Sequence, residues 1–317
     1  MDELFRTIHS FLSTFGCIIN GTLIYAVLTR SPRQIKNYGL IIINFAITDF
    51  FICFLNFIVM QRLIACGYSI VYISLGPCSY FSSEICFGFY VSMLHFYTHS
   101  IWLLIFSFTY RYYVLFHAKT VTRLKVQIII LLIYIPSLFQ LVNVVQNHTT
   151  GDIAKRILEE KHPEIEIPSI RMLSANPHIF DFSVLYVIIH VVGLSIPLTL
   201  AIVFLRYKTI KKLETIGNAK SAKSKRLQLQ LMKALTFQAI IPIFYIIGGF
   251  CYPIQHFKQI KSDIPQYMMY CIFLLVPILN PISSFIFVGP YRNFILSKVK
   301  DTKYKMTSYT DRSATLI

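Results

Sequence analysis

Seven apolar runs, each long enough to cross roughly 30 Å of hydrocarbon, constrain this chain more than anything else in it. They lie at about 8–29, 38–61, 82–110, 126–145, 182–205, 231–253 and 267–288. The expected fold is an all-α membrane protein, a seven-helix transmembrane bundle over residues 1–295 followed by a tail over 296–317. Composition points the same way: 55% of the 317 residues are hydrophobic and 14% are charged, where soluble domains carry about a quarter charged residues.

The third run fixes where the lipid ends. No residue from Ile85 to Tyr110 carries a formal charge, and Arg111 follows. An arginine at the bilayer centre costs at least ~2.5 kcal/mol, so Arg111 marks the inner end of that helix.

Charge in the connections then orients the bundle, because excess Lys and Arg marks the cytoplasmic side. Arg30, Arg33 and Lys36 follow the first run, and Arg111, Lys119, Arg123 and Lys125 follow the third. Nine basic residues from Arg206 to Lys233 against Glu214 follow the fifth, and Arg292, Lys298, Lys300, Lys303, Lys305 and Arg312 follow the seventh. The other connections are together slightly acidic, which places the N-terminus outside and the C-terminus inside. The formal net charge of +16 is thereby explained by the inner loops and needs no nucleic acid partner. Asp2 and Glu3 spoil the basic start of a signal peptide, and no small-x-small cleavage site follows, so the first run is expected to stay as a helix. Asn147-His148-Thr149 is a glycosylation sequon in an outer loop, whereas Asn20-Gly21-Thr22 lies within the first run and is expected to be unusable.

Polar groups inside the bilayer are costly and are functional candidates. Asp49 is the carboxylate in the middle of a run, and Asn20, Asn44 and Asn280-Pro281 are placed to converge on it. No phosphate-binding Gly-rich loop, no His-Glu-x-x-His helix and no paired intramembrane carboxylates occur, so no enzyme is expected. A seven-span transporter or ligand-gated cation channel is the alternative. The chain has no matching Gly/Pro-broken helices in two halves, as transport would favour, and its most basic loop would fall outside in a channel of inverted topology. A retinal pump would want a lysine in the seventh run, which has none. His95 and His99 sit four apart, with His190 as the remote third residue. Zinc sites need three or four ligands, so interhelical hydrogen bonding is the expected use, with no metal and no cofactor.

Several motifs recur in order across the runs: Gly16-x-x-x-Asn20, Asn44 to Asp49, Tyr110-Arg111-Tyr112, Tyr134-Ile135-Pro136, Pro197, Gln238-x-x-x-Pro242, Pro277-Ile278-Leu279-Asn280-Pro281, and Gly289-Pro290-Tyr291-Arg292. With these the chain resembles the rhodopsin-like G-protein-coupled receptors, and within them the nematode serpentine chemoreceptors, most like class delta. The resemblance implies a multi-pass receptor in the cell membrane of sensory neurons. It implies a small-molecule ligand among the outer halves of the helices and a heterotrimeric G protein docking against Arg111, Tyr112 and the inner helix ends.

The chain departs from the wider receptor pattern at three places. Tyr110 stands where an acid usually precedes the arginine, Ile240 and Ile241 precede Pro242 without the usual Cys-Trp pair, and Ile282-Ser283-Ser284 follows Pro281 with no tyrosine. The resemblance also makes Cys86, 25 residues before Arg111, one half of a disulfide, yet the outer loop from Asn147 to Asp181 has no cysteine. A bond within Cys66, Cys78 and Cys86 is expected in the oxidising outer compartment, the alternative being three reduced, buried thiols. At ligand depth the third run presents Phe89, Tyr90, Met93, Leu94, Phe96 and Tyr97. None is charged, which favours an uncharged ligand in an apolar pocket, while helix packing is the competing use of each. Ile153, Ile157 and Leu158 share a helical face in the outer loop, expected as a lid or else a solvated linker.

Overall fold

The computed structural model describes residues 1–32, 36–117, 121–165, 169–215, 230, 233, 236–257 and 262–297. Its membrane spans are Asp2–Arg30, Lys36–Val59, Ser83–Val114, Arg123–Gln146, Phe182–Lys208, Thr236–His256 and Ile264–Phe287, referred to below as the first to seventh. The first starts six residues earlier than the run beginning at 8, because Asp2 and Glu3 sit favourably in a first helical turn. The third span is the axial helix, with 78% of its most apolar window buried, while the fourth and fifth, at 22%, lie at the periphery. Large apolar side chains left exposed, such as Phe11, Leu131 and Leu200, are the lipid-facing stripe that a membrane helix carries where a soluble one is polar.

Prolines shape the spans because each removes one backbone donor. Pro281 cannot donate to the carbonyl of Pro277, and Asn20 of the first span takes that carbonyl through Nδ2 at 2.8 Å. A kink-forming pair in the seventh span is thus sealed by a side chain from a neighbour, as hydrocarbon requires. The fourth span breaks at Ile133-Tyr134, just before Pro136. The fifth contains a π turn over Ile189–Gly193, where the Leu194 amide donates to the Ile189 carbonyl at 2.7 Å.

The outer surface carries an antiparallel sheet, which the all-α expectation did not include. Its strands are β1 (Gln61–Cys66), β2 (Ser69–Ser74), β3 (Thr149–Thr150) and β4 (Leu173–Asn176), in the order β1-β2-β4-β3. Cys66 faces Ser69 across the two-residue turn Gly67-Tyr68, and Gly67 has φ +62°, which a tight hairpin of this kind places on glycine. Successive strand residues point to opposite faces. Leu63, Ile70 and Tyr72 join the bundle core, while Ile64, Cys66, Val71 and Ile73 form a second cluster with Ala154 and Leu158 of the loop helix Asp152–Lys161. Burial on both faces leaves these strands without the polar alternation of a half-exposed hairpin.

The loop helix therefore covers the sheet. Ala154 and Leu158 are its buried residues and Ile157 flanks them, whereas Ile153 is 56% exposed. The face expected from the sequence is rotated, because the four-residue spacing of Ala154 and Leu158 seats the helix on the strands.

A disulfide joins Cys78 to Cys86, 8 positions apart, and Cys66 is free. Burial pushes the Cys66 thiol up to about 12, so it stays protonated and unreactive. Chain-entropy arguments give a loop this short about 2–3 kcal/mol of stabilisation. Cys78→Ser is expected to lower the melting temperature of the purified protein, and an unchanged melting curve would contradict it.

The tail after residue 297 lies outside the described residues. Before it, residues 289–297 form a short helix with Tyr291 and Phe294 buried and Arg292, Asn293, Leu296 and Ser297 exposed, an amphipathic element lying across the inner ends of the spans.

A roofed cavity and an aromatic inner latch

A cavity of about 390 Å³ lies beneath the sheet. Leu63, Ile70 and Tyr72 form its roof, Tyr90 and Leu94 come from the third span, and the fifth, sixth and seventh spans complete the walls. Gly249 of the sixth span lets it close on the fifth, since a Cβ there would stand 2.8 Å from Val192 Cγ2.

Of the candidate pocket residues, Tyr90 and Leu94 line the cavity, and Phe89, Met93 and Tyr97 do not. Phe89 and Met93 stand about 100° around the helix from Tyr90 and Leu94 and pack into the bundle core. Tyr97 lies one turn deeper, under the floor. Its ring meets Tyr245 at 5.9 Å and Phe273 at 5.8 Å, and its hydroxyl accepts from Asn56 Nδ2 at 3.1 Å.

Among the described residues no Asp, Glu, Lys, Arg or His lines this cavity. Its polar atoms are mostly hydroxyls already engaged. Tyr90 and Tyr270 share a hydrogen bond of 2.7 Å between their oxygens, and the Tyr72 ring lies 4.8 Å from that of Tyr90. Burial holds the Tyr72 phenol well above its ordinary value, so it is a hydroxyl at neutral pH. Asn176 is turned to donate to the Asn147 carbonyl. Tyr252 differs: its hydroxyl is buried without a hydrogen-bond partner among the described residues. A buried donor left open costs about 1–3 kcal/mol, which a ligand with an acceptor would recover.

Deeper in the bundle, Asp49 accepts from Asn280 Nδ2 at 2.8 Å, and Asn20 bridges to the seventh span as described above. Asn20, Asp49 and Asn280 each keep one buried oxygen without a donor among the described residues. Asn44 lies apart from them, accepting from or donating to nothing in that set; its Oδ1 is 2.9 Å from His99 Nε2. His99 stacks on Tyr134 of the fourth span at 3.6 Å and so joins helices, whereas His190 stacks on Tyr186 of its own span at 3.9 Å and its Nδ1 lies 2.9 Å from the Tyr186 carbonyl oxygen. Asn147 is exposed at the outer end of the fourth span, and the Asn20 side chain of the other sequon is fully buried.

At the inner end the Arg111 guanidinium carbon lies 3.4 Å from the Tyr38 ring centroid. The Tyr38 hydroxyl is fixed by Ser107 at 3.0 Å, and the Tyr110 ring stands 6.0 Å away. Tyr112, beside Arg111, is half-buried. Tyr291 of the short inner helix bonds Ser31 at 2.9 Å, and Gln230 accepts from the Gly289 amide at 3.2 Å. Reading the sequence had identified Arg111 and missed Tyr38 and Tyr252. Neither belongs to a motif, and only the folded bundle shows what each one touches.

Comparison with known proteins gives a consistent result. A sequence profile described as "Serpentine type 7TM GPCR chemoreceptor Srd" matches residues 5–297. "Serpentine receptor class delta-18" of Caenorhabditis elegans is 34% identical over 91% of this chain and 86% of its own length. "Serpentine receptor class delta-19" of the same organism is 33% identical over 98% and 92%, and "Serpentine receptor class delta-3" is 31% identical over 92% and 87%. Among solved structures, squid rhodopsin superposes with a TM-score of 0.60 over 95% of this chain and 87% of its own, at 14% identity. The chain belongs to the Srd family of serpentine seven-transmembrane chemoreceptors, which makes it a multi-pass membrane receptor of the G-protein-coupled type and not an enzyme.

Proposed function

We propose that this receptor senses a small uncharged molecule, held in the cavity beneath the sheet, and signals to a heterotrimeric G protein at its inner end. The observation that carries this reading is a partly open cavity with no charged side chain among its described lining residues, lined in part by Tyr252, whose buried hydroxyl lacks a partner among the described residues. An ammonium or carboxylate would lose its water there with no counter-charge to replace it, whereas an apolar molecule with one acceptor would fill the space and satisfy Tyr252. Tyr90 and Leu94 are the ligand contacts of the third span. Phe89, Met93 and Tyr97 act behind them as packing. Arg111 and Tyr112 face the G protein, the sequon at Asn147 carries a glycan, and the receptor works at the cell surface of sensory neurons.

The test is a G-protein activation assay in cells expressing the receptor, scanned with matched ketones, esters, alkanes, amines and carboxylates. Uncharged acceptor-bearing compounds are expected to activate it. Tyr252→Phe is expected to weaken them about tenfold, the size of one neutral hydrogen bond at ~1.4 kcal/mol, without affecting alkanes. Activation by amines or carboxylates alone would refute the uncharged-ligand reading. A ligand-gated current that persists under G-protein blockade would move the protein to the channel class.

A further inference from the structure

A second concavity, about 550 Å³, opens on the outer rim beside the first and second spans. Arg6 and Ser10 of the first span, Phe57 of the second, Ser79 and Tyr80 before the third, and Arg171 of the outer loop line it. Among the described residues that line it there is no Asp or Glu, although the outer connections of this protein are together slightly acidic. Two arginines from segments far apart in sequence therefore line one space, with no carboxylate among its described lining residues.

Arg6 is only partly engaged. Its Nη1 contacts Glu3 Oε1 at 3.2 Å, but Glu3 is 88% exposed, so water and salt weaken that pair. Its Nε is buried with no partner among the described residues. An arginine carries five N–H donors in a fixed fork suited to phosphate oxygens. The depth is also specific. Arg6 lies in the second turn of the first span, and Tyr80 and Phe81 beside the groove are 82% and 65% exposed, as aromatic residues at a membrane–water interface are. Phe54, one turn inward of Phe57, is 43% exposed toward lipid and continues an apolar path down from the groove.

We propose that this groove binds the phosphodiester headgroup of an outer-leaflet choline phospholipid. Arg6 and Arg171 hold the phosphate, Ser10 and Ser79 supply neutral donors, and an acyl chain runs inward along Phe57 and Phe54. The open face of Tyr80 takes the quaternary ammonium, the contact that aromatic rings make with choline. The segments carrying Ser79 and Arg171 lead directly into the third span and β4, so an occupied groove braces the roof of the ligand cavity against the bilayer.

Native mass spectrometry of the full-length receptor in detergent tests this with three probes: dioleoyl phosphatidylcholine, dioleoylglycerol and inorganic phosphate. The phospholipid is expected to stay bound, dioleoylglycerol to bind at least tenfold more weakly, and the Arg6→Gln, Arg171→Gln double variant to lose the preference. Arg171→Gln alone changes an exposed residue, and its intermediate loss guards against misfolding of the double variant. Equal binding of dioleoylglycerol would overturn the phosphate site. So would a preference that survives both substitutions. Inorganic phosphate binding as tightly as the phospholipid would overturn the lipid as its source.

Discussion

Tyr38→Ala is expected to raise basal signalling by about tenfold, while Arg111→Ala leaves the receptor at the surface and silences it. Receptors that carry an acid before this arginine can restrain it by an ion pair, and Tyr110 rules that out here. An aromatic ring lies against the arginine here. The Arg111 guanidinium lies on the Tyr38 ring at 3.4 Å, Ser107 fixes that ring through its hydroxyl, and Arg111 is 7% exposed. Cation–π contacts shielded from water are worth about 2 kcal/mol, enough to shift a two-state equilibrium by more than a factor of ten. Tyr38→Phe keeps the ring and loses the tether to Ser107, so a smaller rise is expected. The check is G-protein turnover without ligand, normalised to surface receptor. Basal turnover that stays at the wild-type level in Tyr38→Ala would show that the stack does not hold the resting state.

The ease of reading this chain varied with how local the physics is. Hydrocarbon length and the placement of Lys and Arg depend only on neighbours in sequence, which is why seven spans and their orientation were legible. The pairing of Asn280 with Asp49 was legible because buried polar groups must find partners; Asn20 turns instead to the Pro277 carbonyl, and Asn44 to His99. The sheet was hidden because both its faces are covered, so β1 and β2 lack the polar alternation of a half-exposed hairpin. The cavity was half-legible. Tyr90 and Leu94 share a helical stripe, but its roof and the open hydroxyl of Tyr252 depend on contacts between residues more than 150 positions apart, which no local pattern encodes. The latch at Tyr38 is of the same kind, since it stands at the start of the second span and acts on the end of the third.

Gly76→Ala is expected to be among the most damaging single substitutions outside the spans, costing about 3 kcal/mol or more and most of the surface expression. Gly76 follows β2 where the hairpin returns to the top of the second span. Its amide donates to the Val59 carbonyl at 3.0 Å, and the Leu75 amide to the Met60 carbonyl at 3.1 Å. A Cβ at this position would stand 2.3 Å from the Ile58 carbonyl oxygen, 2.7 Å from its carbon and 2.8 Å from the Val59 carbonyl carbon. All three are backbone atoms, which no rotamer change can move aside, so the clash goes beyond the 1–3 kcal/mol typical of overpacked side chains. Relief requires lifting the hairpin off the second span, and the hairpin carries the cavity roof. Two other glycines calibrate the effect. Gly67→Ala meets nothing closer than Lys161 Cε at 3.9 Å but must hold φ +62°, a strain of about 1–2 kcal/mol. Gly21→Ala in the first span has open space around it and should be neutral or slightly stabilising, since alanine is the better helix former by about 1 kcal/mol. Surface expression and thermal stability should therefore fall in the order Gly21, Gly67, Gly76. If Gly76→Ala expressed as well as Gly21→Ala, the close seating of the roof on the second span would be wrong.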